Sequence, residues 1–252
     1  MPAARNIRLL AAYDGTDFSG WQKQAGSRRT VQGEIENALH KIHKEKIILH
    51  GGGRTDAGVH AAGQTANFHT TIASIEAERF VPALNRLLPH DVRILDACEI
   101  RTDFHARFNA KCRTYRYYFI CGRKAMPWEL RYAWQIWHRP NLNVLNSYAS
   151  LLRGEIDCSM FAVPGDKSLS RSRHINNAVF WFDGDKLVFE ITANAFLWKM
   201  VRSIAGTLLF YEEKNASRGE VKAMIESKDR SLAGPTAPAA GLFLWKIEYY
   251  RD

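Results

Sequence analysis

The stretch HGGGRTDAGVHAAGQ (residues 50–64) places three consecutive glycines directly before an Arg, a Thr and an Asp. The short apolar segment KIILH (46–50) leads into it and predicts a strand. The segment QTANFHT (64–70) follows and alternates in polarity, which predicts a second strand. The glycine-rich stretch is therefore predicted to be a loop that joins two strands and presents polar side chains at their ends.

Strand and helix patterns alternate on both sides of this loop. They predict a mixed α/β or α+β class, with antiparallel pairing wherever two strands form a hairpin. The order of elements begins again after about residue 105, so we expect two similar halves, 1–104 and 105–252. The predicted strands are 6–13, 113–120, a hairpin over 176–196 that turns at Asp183-Gly184, and 242–250. The predicted helices are one that follows the N-cap Thr30, then 74–87, 142–154, 196–212 and 218–228.

The composition describes a basic chain with enough apolar residues for a large core. Of its 252 residues 46% are hydrophobic, its formal net charge is +9, and its pI is near 9.5. This charge favours a polyanionic partner, although a basic enzyme without nucleic-acid contacts fits the charge equally well. The first residues make a poor signal peptide, no apolar run approaches the length of a membrane span, and the four cysteines lack zinc-site spacing. We therefore expect a soluble, cytoplasmic protein with reduced thiols and no membrane contact.

Asp56, within the glycine-rich stretch, has three interpretations. An Asp beside Gly is commonly a turn residue that caps its own backbone. A phosphate-binding loop would need a Gly-Lys-Ser/Thr ending or a G-x-G-x-x-G spacing, and neither occurs here. The third interpretation is a catalytic loop that projects Asp56 towards a substrate, with the glycines clearing space for that substrate and Arg54 holding an anion.

The segment GRTDAGVHA (53–61) resembles the catalytic motif of the tRNA pseudouridine synthases of the TruA family. Further segments resemble the family in the family's order, namely YDGTDFSGWQKQ (13–24), DFHARFNAKCRTYRY (103–117), NAFLWKMVRSIAGTLL (194–209) and GLFL (241–244). Two segments depart from the family pattern: GEIDCSMF (154–161), and Trp198-Lys199, where His is frequent.

The resemblance implies a fold, a reaction and a substrate. The fold is α+β, with two ferredoxin-like halves whose mainly antiparallel sheets join, flanked by helices and with the catalytic cleft between them. The reaction isomerises uridine to pseudouridine in the tRNA anticodon stem-loop, at positions 38, 39 and 40. It needs no cofactor, no metal and no nucleotide, and the family acts as a homodimer. Three tryptophans would suit such an interface, namely Trp128, Trp134 and Trp137.

The resemblance also implies roles for particular residues. Asp56 is the essential carboxylate, which either attacks the sugar carbon or removes a sugar proton. Arg202 is its cationic partner, Tyr115 stacks on the base, and Arg54 fills the space that a flipped uridine leaves. From residue patterns alone, Tyr115 would be a core aromatic, and Arg202 lies at the edge of an apolar helix face, with a solvated helix Arg as the alternative. Four further basic residues are candidate phosphate contacts, namely Arg107, Lys111, Arg113 and Arg116.

Two other functions stay open on the sequence. The first is an RNA-binding module without catalysis, which the presence of both Asp56 and Arg202 disfavours. The second is a metal-dependent hydrolase or nuclease that uses Asp14, Asp17 and Asp56, although Asp14 is better explained as the turn residue of YDGT. His60 and His105 are expected to be structural or to contact RNA.

Overall fold

The computed structural model describes residues 4–166 and 168–250 and confirms an α+β fold with mainly antiparallel sheets. The strands are β1 (Arg5–Tyr13), β2 (His50–Gly51), β3 (His60–Thr70), β4 (Val92–Ile100), β5 (Ala110–Cys121), β6 (Trp134–Ile136), β7 (Gly154–Asp157), β8 (Ser172–Asp183), β9 (Lys186–Ala193) and β10 (Leu242–Tyr249). The α-helices are α1 (Val31–His43), α2 (Phe80–Leu87), α3 (Leu142–Ala149), α4 (Met200–Glu213) and α5 (Arg218–Ser227). None of the helices in these two ranges has the length and apolar character that crossing a bilayer requires.

The chain forms two compact units. The first unit comprises the chain up to Lys111 together with the segment from Phe243 onward, and the second comprises Cys112–Leu242. In the first unit the strand order is β4-β1-β3-β10, with β2 also paired to β3. Strands β1, β3 and β4 pair antiparallel, whereas β10 runs parallel to β3 and aligns Phe243 with His60.

The second unit contains the order β5-β9-β8-β7, in which all three pairs are antiparallel. The short strand β6 runs parallel to β5 and aligns Trp134 with Phe119. The hairpin between β8 and β9 turns where it was predicted, with Gly184 at φ +62°. This positive φ is one that glycine adopts at little cost.

Local chemistry explains where α1 begins. The Thr30 side chain accepts a hydrogen bond from the Gly33 N–H, which confirms the predicted N-cap. Val31, Ile35 and Leu39 are fully buried along one face, as the 3.6-residue period requires.

The predicted strand 46–50 is wrong except at its last residue. Side chains of α1 bind the backbone of Leu49, because Glu36 accepts from its N–H at 3.3 Å and Gln32 donates to its carbonyl at 3.1 Å. These bonds replace the ladder that a neighbouring strand would provide, and β2 begins only at His50.

Three predicted helices have different bounds. Helix α2 begins at Phe80, after a 3₁₀ turn over Ala77–Arg79, and α3 ends at Ala149 in another 3₁₀ turn. Helix α4 begins at Met200 rather than at 196, because Lys199 lies at φ +58° and cannot continue a right-handed helix backwards. Strand β4 was not predicted at all, since only Val92, Ile94 and other scattered residues along it are buried.

Candidate active site

The loop between β2 and β3, residues 52–59, carries the predicted catalytic Asp56 and is fixed at its base by Gln64. The Gln64 side chain donates from Nε2 to the Gly53 carbonyl at 2.7 Å and accepts from the Gly53 N–H at 3.2 Å. Gln64 is completely buried. One amide side chain therefore satisfies both polar groups of the glycine that precedes Arg54.

Thr55, directly before Asp56, is held from two sides. Its hydroxyl lies 2.8 Å from the Tyr13 hydroxyl in a buried hydrogen bond, and its carbonyl accepts from the Trp21 N–H at 3.1 Å. Gly20 approaches the same backbone at φ +97°, and a Cβ on it would lie 2.7 Å from the Thr55 carbonyl oxygen. Two separate segments of the chain thus clamp the residue next to the carboxylate.

The backbone of Asp56 starts a tight turn. Its carbonyl accepts from the Val59 N–H at 3.2 Å, and Gly58 within the turn has φ +75°. The Gly58 N–H donates to the Phe18 carbonyl at 3.3 Å. Asp56 is half-buried and Arg54 is exposed. The loop therefore holds its carboxylate on a fixed backbone and leaves the neighbouring guanidinium accessible.

Protein atoms explain two of the glycines that precede Asp56. A Cβ on Gly51 would lie 2.3 Å from Nε1 of the buried Trp21. A Cβ on Gly52 would lie 2.8 Å from both Ile247 and the Tyr249 hydroxyl. The expectation that these glycines clear space for a substrate is therefore wrong at both positions, because internal side chains occupy that space.

Tyr115 lies on β5 in the second unit and is buried. The Phe196 ring meets it edge-on, with centroids 5.1 Å apart. The register with β9 runs without a shift from Arg113 to Ile120, so Arg113 and Tyr115 share one face of β5. Arg113 donates to the Asn194 carbonyl at 2.8 Å.

Arg202 lies in the first turn of α4, is half-buried, and makes two hydrogen bonds with Ala237. Its Nε donates to the Ala237 carbonyl at 2.7 Å, and its own carbonyl accepts from the Ala237 N–H at 3.1 Å. A Cβ on Gly206, one turn further along, would lie 1.9 Å from the Pro235 carbonyl oxygen. The segment around Ala237 therefore lies directly against the helix and orients the guanidinium.

Tyr117 supports the same segment. It is completely buried, and its hydroxyl donates to the Pro238 carbonyl at 2.7 Å. Burial raises the pKa of the Tyr117 phenol far above its ordinary value, and the nearby charge of Arg202 opposes that shift only in part. Tyr117 is therefore a neutral hydrogen-bond donor that helps to fix the segment next to Arg202.

The predicted phosphate contacts differ in their surroundings. Arg107 and Lys111 are exposed, and the Lys111 ammonium lies 5.4 Å from the centroid of the Tyr250 ring. Arg116 lies on the opposite face of β5 from Tyr115. Its Nε pairs with Glu190 on the adjacent strand at 2.8 Å.

Asp14 and His60 belong to the supporting structure of the first unit. Asp14 accepts from the Thr16 N–H at 3.0 Å, which confirms that it is a turn residue. His60 is completely buried, stacks on Phe243 at 4.6 Å, and accepts at Nδ1 from the Gly15 N–H at 3.0 Å. Across residues 4–166 and 168–250, no three or more His, Cys, Asp or Glu side chains are grouped as a metal site would need.

The segment GEIDCSMF, which departs from the family pattern, forms β7 and a 3₁₀ turn. Cys158, Met160 and Phe161 are completely buried. Two of the three departures from the family pattern, Cys158 and Met160, therefore lie in the core of the second unit, where apolar volume is the main requirement, whereas the third, Ile156, is half-buried.

Sequence patterns missed three supporting residues, Gln64, Tyr13 and Tyr117. Each is a buried side chain with a hydrogen bond that supports the site: Tyr13 bonds the Thr55 hydroxyl, Gln64 bonds the Gly53 backbone, and Tyr117 bonds the Pro238 carbonyl beside the residue that holds Arg202. The available signal was a polar residue inside a strand pattern that otherwise predicts burial, as Gln64 is within QTANFHT.

Comparison with known proteins assigns the family. A family model described as tRNA pseudouridine synthase matches residues 9–109 and 148–250, which is more than half of the chain. The chain belongs to this family and is an isomerase that acts on uridine in tRNA.

Individual relatives are similar along nearly their whole length. The chain is 55% identical over 252 residues to "tRNA pseudouridine synthase A" of Treponema denticola, covering 98% of this chain and 94% of the relative. It is 52% identical over 239 residues to the protein of the same name from Treponema pallidum, covering 93% and 85%. The corresponding protein of Borreliella afzelii is 44% identical over 246 residues, covering 97% and 99%.

Proposed function

We propose that the protein converts uridines at positions 38, 39 and 40 of the tRNA anticodon stem-loop into pseudouridine, with Asp56 as the essential carboxylate. The observation that carries this proposal is the construction of the loop around Asp56. Gln64 fixes Gly53, Tyr13 and Trp21 fix Thr55, and a turn fixes Asp56 itself. A catalytic carboxylate needs such a preorganised backbone, because small displacements reduce rates steeply.

The reaction rearranges the atoms of one nucleotide. The N1–C1′ bond breaks, the detached uracil turns while bound, and C5 forms a new bond to C1′. The proton on C5 then leaves and N1 ends protonated, so no external group, electron donor or electron acceptor takes part. Asp56 either attacks C1′ covalently or removes a proton from the sugar, and it must be ionised for both.

Three other residues have roles in this proposal. Arg202, oriented by Ala237, is the cationic partner of the carboxylate. Tyr115 packs against the uracil and assists loss of the C5 proton. Arg54, exposed beside Asp56, occupies the stem position that the flipped uridine vacates. Phosphate contacts come from Arg107, Lys111, Arg113 and Arg116, the last of which also pairs with Glu190.

We further propose that the protein is a cytoplasmic homodimer. Trp128 and Trp137 are exposed by 65% and 74%, and large exposed aromatics are typical of interface centres. Trp134 does not contribute, because its ring packs 5.9 Å from that of Phe119. All four cysteines are free thiols, which fits a reducing compartment. Sedimentation of the wild type and of Trp137→Ser tests the dimer, which the variant should weaken.

Tritium release tests the reaction. A tRNA transcript carrying C5-tritiated uridine is incubated with the wild type, with Asp56→Asn, and with the control Asp17→Asn, which alters an exposed carboxylate in the same unit. We expect release by the wild type and the control and none by Asp56→Asn. Each transcript in which cytidine replaces the uridine at position 38, 39 or 40 should release less tritium, by the amount that the replaced uridine contributes.

Other outcomes would favour the alternatives. Binding of tRNA by the wild type without release would indicate a non-catalytic RNA-binding module. Cleavage of the transcript that EDTA abolishes would indicate a metal-dependent nuclease. Release by Asp56→Asn at the wild-type rate would show that Asp56 is not the essential carboxylate.

A further inference from the structure

Three rings form a cluster on the first unit, outside the loop that carries Asp56. The ring centroids of His50 and His105 are 4.6 Å apart, and those of His105 and Phe108 are 4.4 Å apart. His50 begins β2, and the other two residues lie in the loop 101–109 between β4 and β5. We call His50, His105 and Phe108 the ring cluster. Its outermost member, Phe108, is 76% exposed.

Buried polar side chains hold the loop beneath the ring cluster rigidly. Asn67 accepts from the Ala106 N–H at 2.9 Å and donates to the Phe104 carbonyl at 3.2 Å. Asn6 donates to the same carbonyl at 2.9 Å. Asn6 and Asn67 are both completely buried, so this network fixes the loop strongly. The exposed Phe108 ring is thus presented on a fixed backbone.

The ring cluster also lies close to the base of the Asp56 loop. The Tyr249 hydroxyl donates to the Ala106 carbonyl at 2.8 Å. These two groups lie beside Gly52, where a Cβ would be 2.8 Å from the hydroxyl and 3.1 Å from the carbonyl oxygen. An RNA segment with a uridine at Asp56 would therefore place its neighbouring nucleotides within reach of the cluster.

The chemistry of the cluster suits a nucleobase. The Arg107 guanidinium lies 5.8 Å from the Phe108 ring centroid and is exposed. Burial and the neighbouring His50 lower the pKa of His105, so its ring is neutral at neutral pH. Flat rings beside a cation match an unpaired base beside its phosphate, which is the pattern that single-stranded RNA sites use. The net charge of +9 favours this polyanionic occupant over a neutral protein surface.

We infer that the ring cluster is a stacking platform for an unpaired base of the tRNA anticodon loop, with Arg107 contacting the adjacent phosphate. The platform rests on the proposed function, because it requires that the uridine at Asp56 belongs to that stem-loop. It contributes binding and orientation of the RNA, and takes no part in bond making.

The first test compares Phe108→Ala, Phe108→Leu and Phe108→Trp by tritium release and by fluorescence anisotropy with labelled tRNA. The Ala and Leu variants should raise KM and Kd about tenfold or more, since one base–aromatic stack is lost, with kcat unchanged. Phe108→Trp should stay within about twofold of the wild type because it retains a stacking face. Leu95→Ala, which removes an exposed apolar side chain from β4, is the matched control and should change neither constant.

Salt dependence separates the two parts of the site. Phe108→Ala should leave the slope of log Kd against log salt unchanged, whereas Arg107→Ala should reduce its magnitude by about one. A series of transcripts carries an abasic nucleotide at each unpaired loop position in turn. For the transcript that lacks the stacked base, Phe108→Ala should no longer raise Kd relative to the wild type.

Several results would overturn the platform. Phe108→Leu binding as tightly as the wild type would show an apolar contact rather than a stack. A change in oligomeric mass in Phe108→Ala would identify an interface with a second copy. A lower kcat with KM unchanged would indicate a structural role. Absence of tritium release by the wild type would refute the proposed function alone, and the anisotropy series would still decide whether Phe108 stacks on the RNA.

Discussion

Replacing Gln64 with Leu removes both hydrogen bonds that fix Gly53, without adding bulk to the core. The bonds measure 2.7 and 3.2 Å and the Gln64 side chain is completely buried. Each is worth about 1 kcal/mol, and leaving the glycine's polar groups partly unpaired raises the total loss to about 2–4 kcal/mol. For a chain of this length, that loss lowers Tm by roughly 5–12 °C.

The same substitution should reduce catalysis more than binding. Gly53 lies three residues before Asp56, so a loosened loop displaces the carboxylate while leaving exposed RNA contacts in place. A shift of about 1 Å at a reacting group costs on the order of 100-fold in rate. We expect single-turnover tritium release to slow about 10- to 100-fold, with Kd for tRNA changed less than threefold, measured well below Tm. Gln24→Leu, at an exposed glutamine of the same unit, is the control and should match the wild type.

Gln64→Glu adds a test of the donor half of the pair. Burial raises the pKa of the introduced carboxyl, and only its protonated form can donate to the Gly53 carbonyl. Its stabilising contribution is therefore present below the ordinary carboxyl pKa and is lost as pH rises through the raised native pKa. The Tm of Gln64→Glu should therefore be closer to the wild-type Tm at pH 5 than at pH 8. The reasoning is refuted if Gln64→Leu keeps Tm within 1 °C and the rate within twofold of the wild type.

Three further predictions concern the supporting structure. Gly206→Ala should lower the free energy of unfolding in urea by at least about 1–3 kcal/mol, because its Cβ would meet the Pro235 carbonyl oxygen at 1.9 Å; an unchanged midpoint would contradict this packing. Tyr117→Phe should cost about 1–3 kcal/mol by leaving the Pro238 carbonyl unpaired. It should also leave the tyrosinate absorbance of the native protein at pH 11 unchanged, since the pKa of this phenol is raised far above its ordinary value and the wild-type ring is not ionised there. The lowered pKa of His105 means that the unfolded chain binds a proton at this residue more readily than the folded chain does. The free energy of unfolding should therefore fall as pH decreases below about 6.5, and it should fall less steeply in His105→Gln. Equal pH slopes in the two proteins would refute this prediction.

Patterns of short range predicted much of the fold. The N-cap Thr30, the hairpin turn at Asp183-Gly184 and the strand that follows the glycine-rich loop were predicted from neighbours along the chain. Asp56 was identified by its motif, and its position in a fixed turn fits the role predicted for it. The catalytic roles of Asp56, Tyr115 and Arg202 stay predictions.

Contacts between distant segments could not be predicted in this way. The reason for glycine at position 51 is the indole of Trp21, which belongs to another loop and reaches the site only in the folded chain. The same holds for Gly206, because its partner Pro235 comes after the ends of both α4 and α5 in the sequence. The short extent of β2 likewise depends on Gln32 and Glu36, whose side chains bind a backbone that otherwise resembles a strand.

The parallel pairing of β10 with β3 has a consequence for synthesis on the ribosome. Phe243 aligns with His60, so the entire second unit is translated between the two partners. Until β10 emerges, the first two residues of β3 lack their parallel partner strand, and Gly52 lacks the Ile247 and Tyr249 side chains that pack against it. The second unit is contiguous in sequence, so it is fully translated before β10 is complete. The packing around Gly52, at the base of the Asp56 loop, is therefore completed only after β10 has been translated.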